Sequence, residues 1–198
     1  MPKLSQISRP CLLAAPAIAL ALIAAGCATN QPSAPRAVAR LQPTSGSQTT
    51  GTVWLTQEGD HVVVRVSVSG LMPNREHGFH VHEKGDCSAP DGSSAGGHFN
   101  PAGKPHGAPG AEHHAGDMPS LKADGSGNAN TTFEIRGVLL GTGATDLMGK
   151  GLIVHADPDD YATQPTGNSG KRIACGVIAS PATPTGMGEA AKTIPKQM

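Results

Sequence analysis

Nine histidines stand in the 198-residue sequence, and six of them fall at spacings suited to metal ligation. His80 and His82 are two apart in Gly78-Phe79-His80-Val81-His82, so an extended chain points both rings to one side. His98 and His106 follow in a polar stretch, His114 precedes Asp117 by three residues, and His155 closes a later apolar run. Neutral imidazole suits copper and zinc, and a carboxylate among several histidines suits zinc. The set reads as a site for two metal ions. Rival patterns are missing from the sequence: His82-Glu83 has no second histidine to complete HExxH, and there is no CxxC pair, GxSxG elbow or phosphate loop. Of the other histidines, His61 follows a Gly-Asp turn and reads as exposed. His113 adjoins His114, but the three-residue offset to Asp117 favours His114 as the ligand.

The elements that must position these rings read as strands and long loops. Gly51–Gln57 is a β-prone run and Glu58-Gly59-Asp60 a turn. In His61–Ser69, Val64, Val66 and Val68 alternate with Arg65, Ser67 and Ser69, which marks a half-buried strand. Gly78–His82 continues the pattern. From Lys84 to Gly116 there is almost no apolar residue, and a loop of that length is functional or disordered. Because it carries four histidines and a cysteine, we read it as functional and pinned. Strands resume near Ser120–Ala123, Thr131–Arg136 and Leu152–His155, a second polar loop runs from Ala156 to Lys171, and the last strand is Ile173–Ile178. About eight short strands without a clear helix indicate a sandwich or barrel. With only five aromatic residues, its core should be Val, Ile, Leu and Ala.

The two ends read differently. Residues 1–26 have Lys3 and Arg9 ahead of the apolar Leu12–Ala25, a secretory signal. The segment ends in Ile23-Ala24-Ala25-Gly26-Cys27, which resembles the bacterial lipoprotein cleavage box and makes Cys27 the lipidated first residue. Residues 27–35 then form a polar tether, 36–180 the folded domain and 181–198 a tail without apolar periodicity. Cys11 leaves with the signal, so Cys87 and Cys175 remain in an oxidising context and are expected to pair. That pairing also leaves no free cysteine for a blue-copper site. Fifteen basic residues balance fifteen acidic ones in the whole chain. Loss of Lys3 and Arg9 brings the mature charge close to −2, which argues against a nucleic-acid partner.

The motifs Gly78-Phe79-His80-Val81-His82, Gly97-His98-Phe99-Asn100-Pro101, His106-Gly107-Ala108-Pro109, His114-Ala115-Gly116-Asp117, Val154-His155 and Gly170–Ile178 together resemble the copper/zinc superoxide dismutase family, in its motif order over residues 36–180. The Cys87-Ser88-Ala89 segment, far ahead of His98, is similar to the bacterial exported branch. The resemblance implies an eight-stranded antiparallel Greek-key β-sandwich or barrel with two long functional loops. It implies copper on His80, His82, His98 and His155, and zinc on His98, His106, His114 and Asp117, with His98 shared. Asp159 would link His80 to His106, Arg172 would guide the superoxide anion, and His77 would be structural. The second loop lacks the Glu-rich stretch and matching Lys of animal relatives, which leaves Lys84, Lys104 and Lys171 as further candidates for guidance.

The implied reaction turns two superoxide anions and two protons into oxygen and hydrogen peroxide, protecting the cell envelope. The expected location is the periplasm, with a lipid anchor in the bacterial membrane and the outer membrane favoured, and the chain a monomer or homodimer. The rival reading is a non-catalytic periplasmic copper/zinc-binding or chaperone-like protein on the same fold. Such relatives tend to lose copper ligands or the arginine, and this sequence keeps His80, His82, His98, His155 and Arg172.

Overall fold

In the computed structural model, residue 34 and residues 36–181 are described. The signal, Cys11, Cys27, all but one residue of the tether beyond it, and nearly all of the tail lie outside the described residues. Among the described residues nine strands run in chain order: β1 Arg36–Pro43, β2 Thr50–Glu58, β3 His61–Ser69, β4 Glu76–His77, β5 Phe79–His82, β6 Leu121–Lys122, β7 Ala129–Arg136, β8 Gly151–His155 and β9 Arg172–Val177. Seven of them form one curled antiparallel sheet in the order β5-β8-β9-β1-β2-β3-β7, and β4 pairs with β6. The fold is all-β, with a single 3-10 turn at Ser93–Ala95 and no α-helix among the described residues.

β3 shows why the sheet forms. Val62, Val64, Val66 and Val68 are buried while Arg65, Ser67 and Ser69 are exposed. One face of the strand therefore packs on the core and the other meets water. β1 is an element that the valine-rich alternation does not announce. Its inward residues are Ala37, Ala39 and Leu41, and alanine has little β-propensity of its own. The strand is held from both sides, by β2 along its length and by β9 at Gln42 and Pro43, and this double pairing joins the two halves of the sheet. The core is largely valine, leucine and alanine, as expected, with Phe79, Phe99 and Met118 filling the space where the loops pack.

β5 and β8 are buried on both faces. Phe79, Val81, Leu152 and Val154 face the core, so the intervening His80 and His82 point the other way. Water is kept from that second face by the long loop. It pairs with the free edge of β5 through Phe99 N–H to Val81 O (2.9 Å or less), Val81 N–H to Gly116 O and Glu83 N–H to Gly97 O. The loop that the sequence marks as polar is thus pinned as a cover over two histidines.

Candidate metal centre

The structure brings all six histidines and Asp117 together in two overlapping groups. His80, His82, His98 and His155 form one, and His98, His106, His114 and Asp117 the other; within each group the potential ligand atoms lie within 4.8 Å of one another, and every residue is buried. His98 belongs to both. Its ring centroid stands 4.0 Å from that of His80 and 5.5 Å from that of His114.

The ring nitrogens show how each side chain is oriented. His80 Nε2 meets Asp159 Oδ2 at 2.7 Å, His82 Nδ1 donates to Gly96 O at 2.9 Å and His155 Nδ1 to Gly170 O at 3.4 Å. The opposite nitrogens, His80 Nδ1, His82 Nε2 and His155 Nε2, are buried without a partner, and so is His98 Nε2. A buried polar atom left unpaired is costly. Four such lone pairs in one group are the donor set that a copper ion takes. On the other side, Asp117 Oδ1 lies 2.8 Å from His98 Nδ1 and 3.3 Å from His114 Nδ1. His106 Nδ1 is 3.0 Å from Asp117 Oδ2 but not aligned as a hydrogen bond, so both atoms face a common point. Three imidazoles and one carboxylate fit zinc.

Asp159 lies between two of these rings. One oxygen holds His80 and the other meets His106 Nε2 at 2.9 Å, while Tyr161 N–H fixes the carboxylate at 2.8 Å. Such partners set the tautomer and ring direction of a ligand. His77 is buried and donates from Nδ1 to the backbone oxygen of His155, a structural placement. His113 is half-buried and bonds the oxygen of His114, outside both groups, and His61 is half-buried beside Asp60 and Glu134. Lys84, Lys104 and Lys171 are all exposed.

Several positioning residues carry no motif. Gln164 clamps the two loops together, accepting from His106 N–H and donating to His106 O. Tyr161 Oη accepts from Ser120 N–H at 2.8 Å. Gly96 has φ +75°, and a side chain there would run into the Glu83 carboxylate. Gly167, at φ +67°, lies so close to Asp159 and His106 that a Cβ would displace their contact. These roles depend on neighbours distant in sequence, so no local pattern signals them.

Arg172 opens β9 and is tied into the long loop. Its two terminal nitrogens donate to Gly92 O and Gly96 O, each at 2.6 Å. Gly96 O is also the acceptor for His82, so one carbonyl aligns a candidate copper ligand and the arginine. Cys87 and Cys175, 88 positions apart, are joined, and this disulfide ties the same loop to β9. Closing a loop of that length is worth about 4–5 kcal/mol in the chain-entropy view. Reduction should lower the melting temperature and also free the loop, so that zinc is lost more readily to a chelator. Equal melting temperatures and zinc release for the oxidised and reduced forms would count against this tie.

Burial pushes His82 down to about 2 and His155 down to about 3, and it lowers His80 and His114 as well. The rings therefore stay neutral, the form that binds metal. Burial alone would raise Asp117, but the hydrogen bond from His98 and the neighbouring imidazoles outweigh it and hold the carboxyl well below its ordinary range. Asp159 is likewise lowered, burial being overcome by its bonds to His80, Tyr161 and His106. In every case the unfolded chain binds more protons than the folded one, so stability rises with pH. The histidine contribution is complete above the ordinary pKa of 6.5 and is lost as pH falls toward the lowered values. The carboxylate contribution follows below 3.8. The melting temperature of the metal-free chain should be level at neutral pH, decline on acidification below about 6.5 and fall more steeply below about 4. A melting temperature independent of pH through that range would contradict the burial argument.

Comparison with known proteins agrees with this geometry. The family model described as copper/zinc superoxide dismutase (SODC) matches residues 49–178. "Superoxide dismutase [Cu-Zn] 2" of Aquifex aeolicus (strain VF5) is 43% identical over 148 residues, covering 72% of this chain and 86% of that protein. Among solved structures, a SOD-like protein from Bacillus subtilis is 34% identical with a TM-score of 0.65, covering 71% of this chain and 96% of the other. The clock protein EA4 is also 34% identical, with a TM-score of 0.68 over 75% and 96%.

Proposed function

The chain belongs to the copper/zinc superoxide dismutase family, and from that premise we propose that it converts two superoxide anions and two protons into oxygen and hydrogen peroxide. Copper would be held by His80, His82, His98 and His155, and zinc by His98, His106, His114 and Asp117. The observation that carries this reading is the set of buried, unpartnered nitrogens on the first four rings, each aimed away from the group that fixes its ring. Copper supplies the one-electron redox chemistry there, and zinc the fixed charge that orders the loop.

The remaining roles fall to the chain itself. Asp159 holds His80 and His106 in register, so the two ligand groups keep one spacing. Gly96 O holds His82 and Arg172 together. Arg172 presents a positive charge to a small anion, and its half-buried position concentrates the field locally. The envelope role and the lipid anchor on Cys27 belong to the same proposal. They rest on the signal-like residues 1–26 and on the disulfide, which suits an oxidising compartment.

A dismutation assay on the metal-loaded chain tests the activity, with the copper signal followed by electron paramagnetic resonance. A full complement of both metals without dismutation would leave a metal-binding protein and overturn the proposal. Mass spectrometry of the protein isolated from membranes tests the anchor, since an unmodified Cys27 would remove it.

A further inference from the structure

Strands β1, β2, β3 and β7 turn one face to the core, and no other described element covers the opposite face. On that outer face the strand register sets Arg36, Val38 and Arg40 against Thr56, Trp54 and Thr52, and Trp54 against Arg65. All three arginines are exposed, and none lies within 4.0 Å of a carboxylate among the described residues. The Arg65 guanidinium stands 4.7 Å above the Trp54 ring. Trp54 is the only tryptophan in the chain and is 38% exposed. The acids of this face gather at one corner. There Arg136 meets Asp60 at 2.7 Å and Glu134 at 3.6 Å, and Glu58 stands opposite His61. The rest of the face is a cationic surface centred on one indole.

We propose that this face docks on an anionic phospholipid bilayer. The whole chain is electrically neutral, so attraction to a negative surface must come from a local cluster such as this one. A tryptophan ring settles at headgroup depth, and arginines beside it reach the phosphates. Each arginine near an anionic surface raises partitioning by roughly fivefold, so three give about a hundredfold. Arg36 is the first strand residue and lies nine positions after Cys27, a reach of roughly 30 Å for an extended chain. An anchored domain therefore has the bilayer within reach of this face. The anchor adds proximity, while the charge complementarity stands without it. The docking residues lie on β1, β2 and β3, whereas the clustered histidines lie on β5, on β8 and in the long loop, so docking uses none of the residues of the metal centre.

The test uses residues 27–198, which contain every described strand and the disulfide, with and without the lipid on Cys27. Vesicles of phosphatidylcholine are compared with vesicles that also contain phosphatidylglycerol. The lipidated chain should float with both, which reports the anchor. Its Trp54 emission should shift to the blue, and be quenched by lipids brominated near the headgroup, only when phosphatidylglycerol is present, and high salt should reverse both signals. The chain carrying Cys27→Ser should float only with the anionic vesicles. Adding Arg40→Glu and Arg65→Glu should weaken that flotation at least about twenty-fivefold, with dismutation unchanged. Identical Trp54 signals on the two vesicle types would overturn the proposal, as would flotation that survives the charge reversals. Capture by a sulfated polysaccharide without vesicle binding would assign the face to a soluble polyanion instead, and would equally overturn it. If only the anchor fails, the lipidated sample is not obtained, and the Cys27→Ser chain still decides the face.

Discussion

His98→Ala is expected to perturb copper and zinc together. No other residue belongs to both ligand groups. Its Nδ1 lies 2.8 Å from Asp117 Oδ1 on the zinc side, while its unpartnered Nε2 belongs to the group of His80, His82 and His155. The substitution leaves three candidate ligands on each side and opens a cavity between them. It also strips the buried Asp117 carboxylate of its closest hydrogen-bond partner. Changes to groups that merely orient a ligand cost about ten- to a hundredfold in metal affinity, so loss of a ligand should cost at least about a hundredfold for zinc. The copper resonance should change shape in the same sample, and dismutation should fall below a tenth of the original rate. His114→Ala is the control: it should release zinc readily and disturb the copper signal less, because His114 belongs to the zinc group alone. If His98→Ala disturbs only one metal, the shared-ligand reading is wrong.

Much of this centre was legible in the sequence, for a physical reason. A strand repeats every two residues, so His80 and His82 declare a common face, and the polar loop from Lys84 to Gly116 declares itself by having almost nothing to bury. The assignment of His98 to both groups was legible only through the family resemblance, because no spacing rule reveals a shared ligand. The same holds for Asp159, whose two partners lie 79 and 53 residues away. Nothing local announced β1, since Ala37 and Ala39 bury little apolar surface and the strand exists because β2 and β9 pair with it. Gln164, Tyr161, Gly96 and Gly167 were silent for a related reason. Each acts through contacts with residues outside its own local pattern, and a glycine hemmed in by a carboxylate close beside it looks in sequence like any turn glycine.

Arg172→Ala is expected to separate substrate handling from metal binding. The whole chain carries no net charge, so the molecule as a whole does not attract a superoxide anion. Attraction must come from a local positive group in a confined place. Arg172 is half-buried, with its guanidinium fixed by Gly92 O and Gly96 O, and Gly96 O also holds His82. The charge is therefore locked to the copper side of the centre rather than swinging on a free side chain. Its removal should lower the dismutation rate tenfold or more, about 1.4 kcal/mol in the apparent barrier. Copper and zinc contents should not change, because neither ligand group includes the arginine. The salt dependence of the rate should flatten as well, since screening acts on the attraction that has been deleted. Arg172→Lys should fall between the two: it keeps the charge, but an ammonium cannot reproduce the planar fork that spans both carbonyls. A wild-type rate and salt slope in Arg172→Ala with normal metal content would remove the arginine from substrate handling. Loss of copper from that variant would instead make it a structural clamp acting through Gly96.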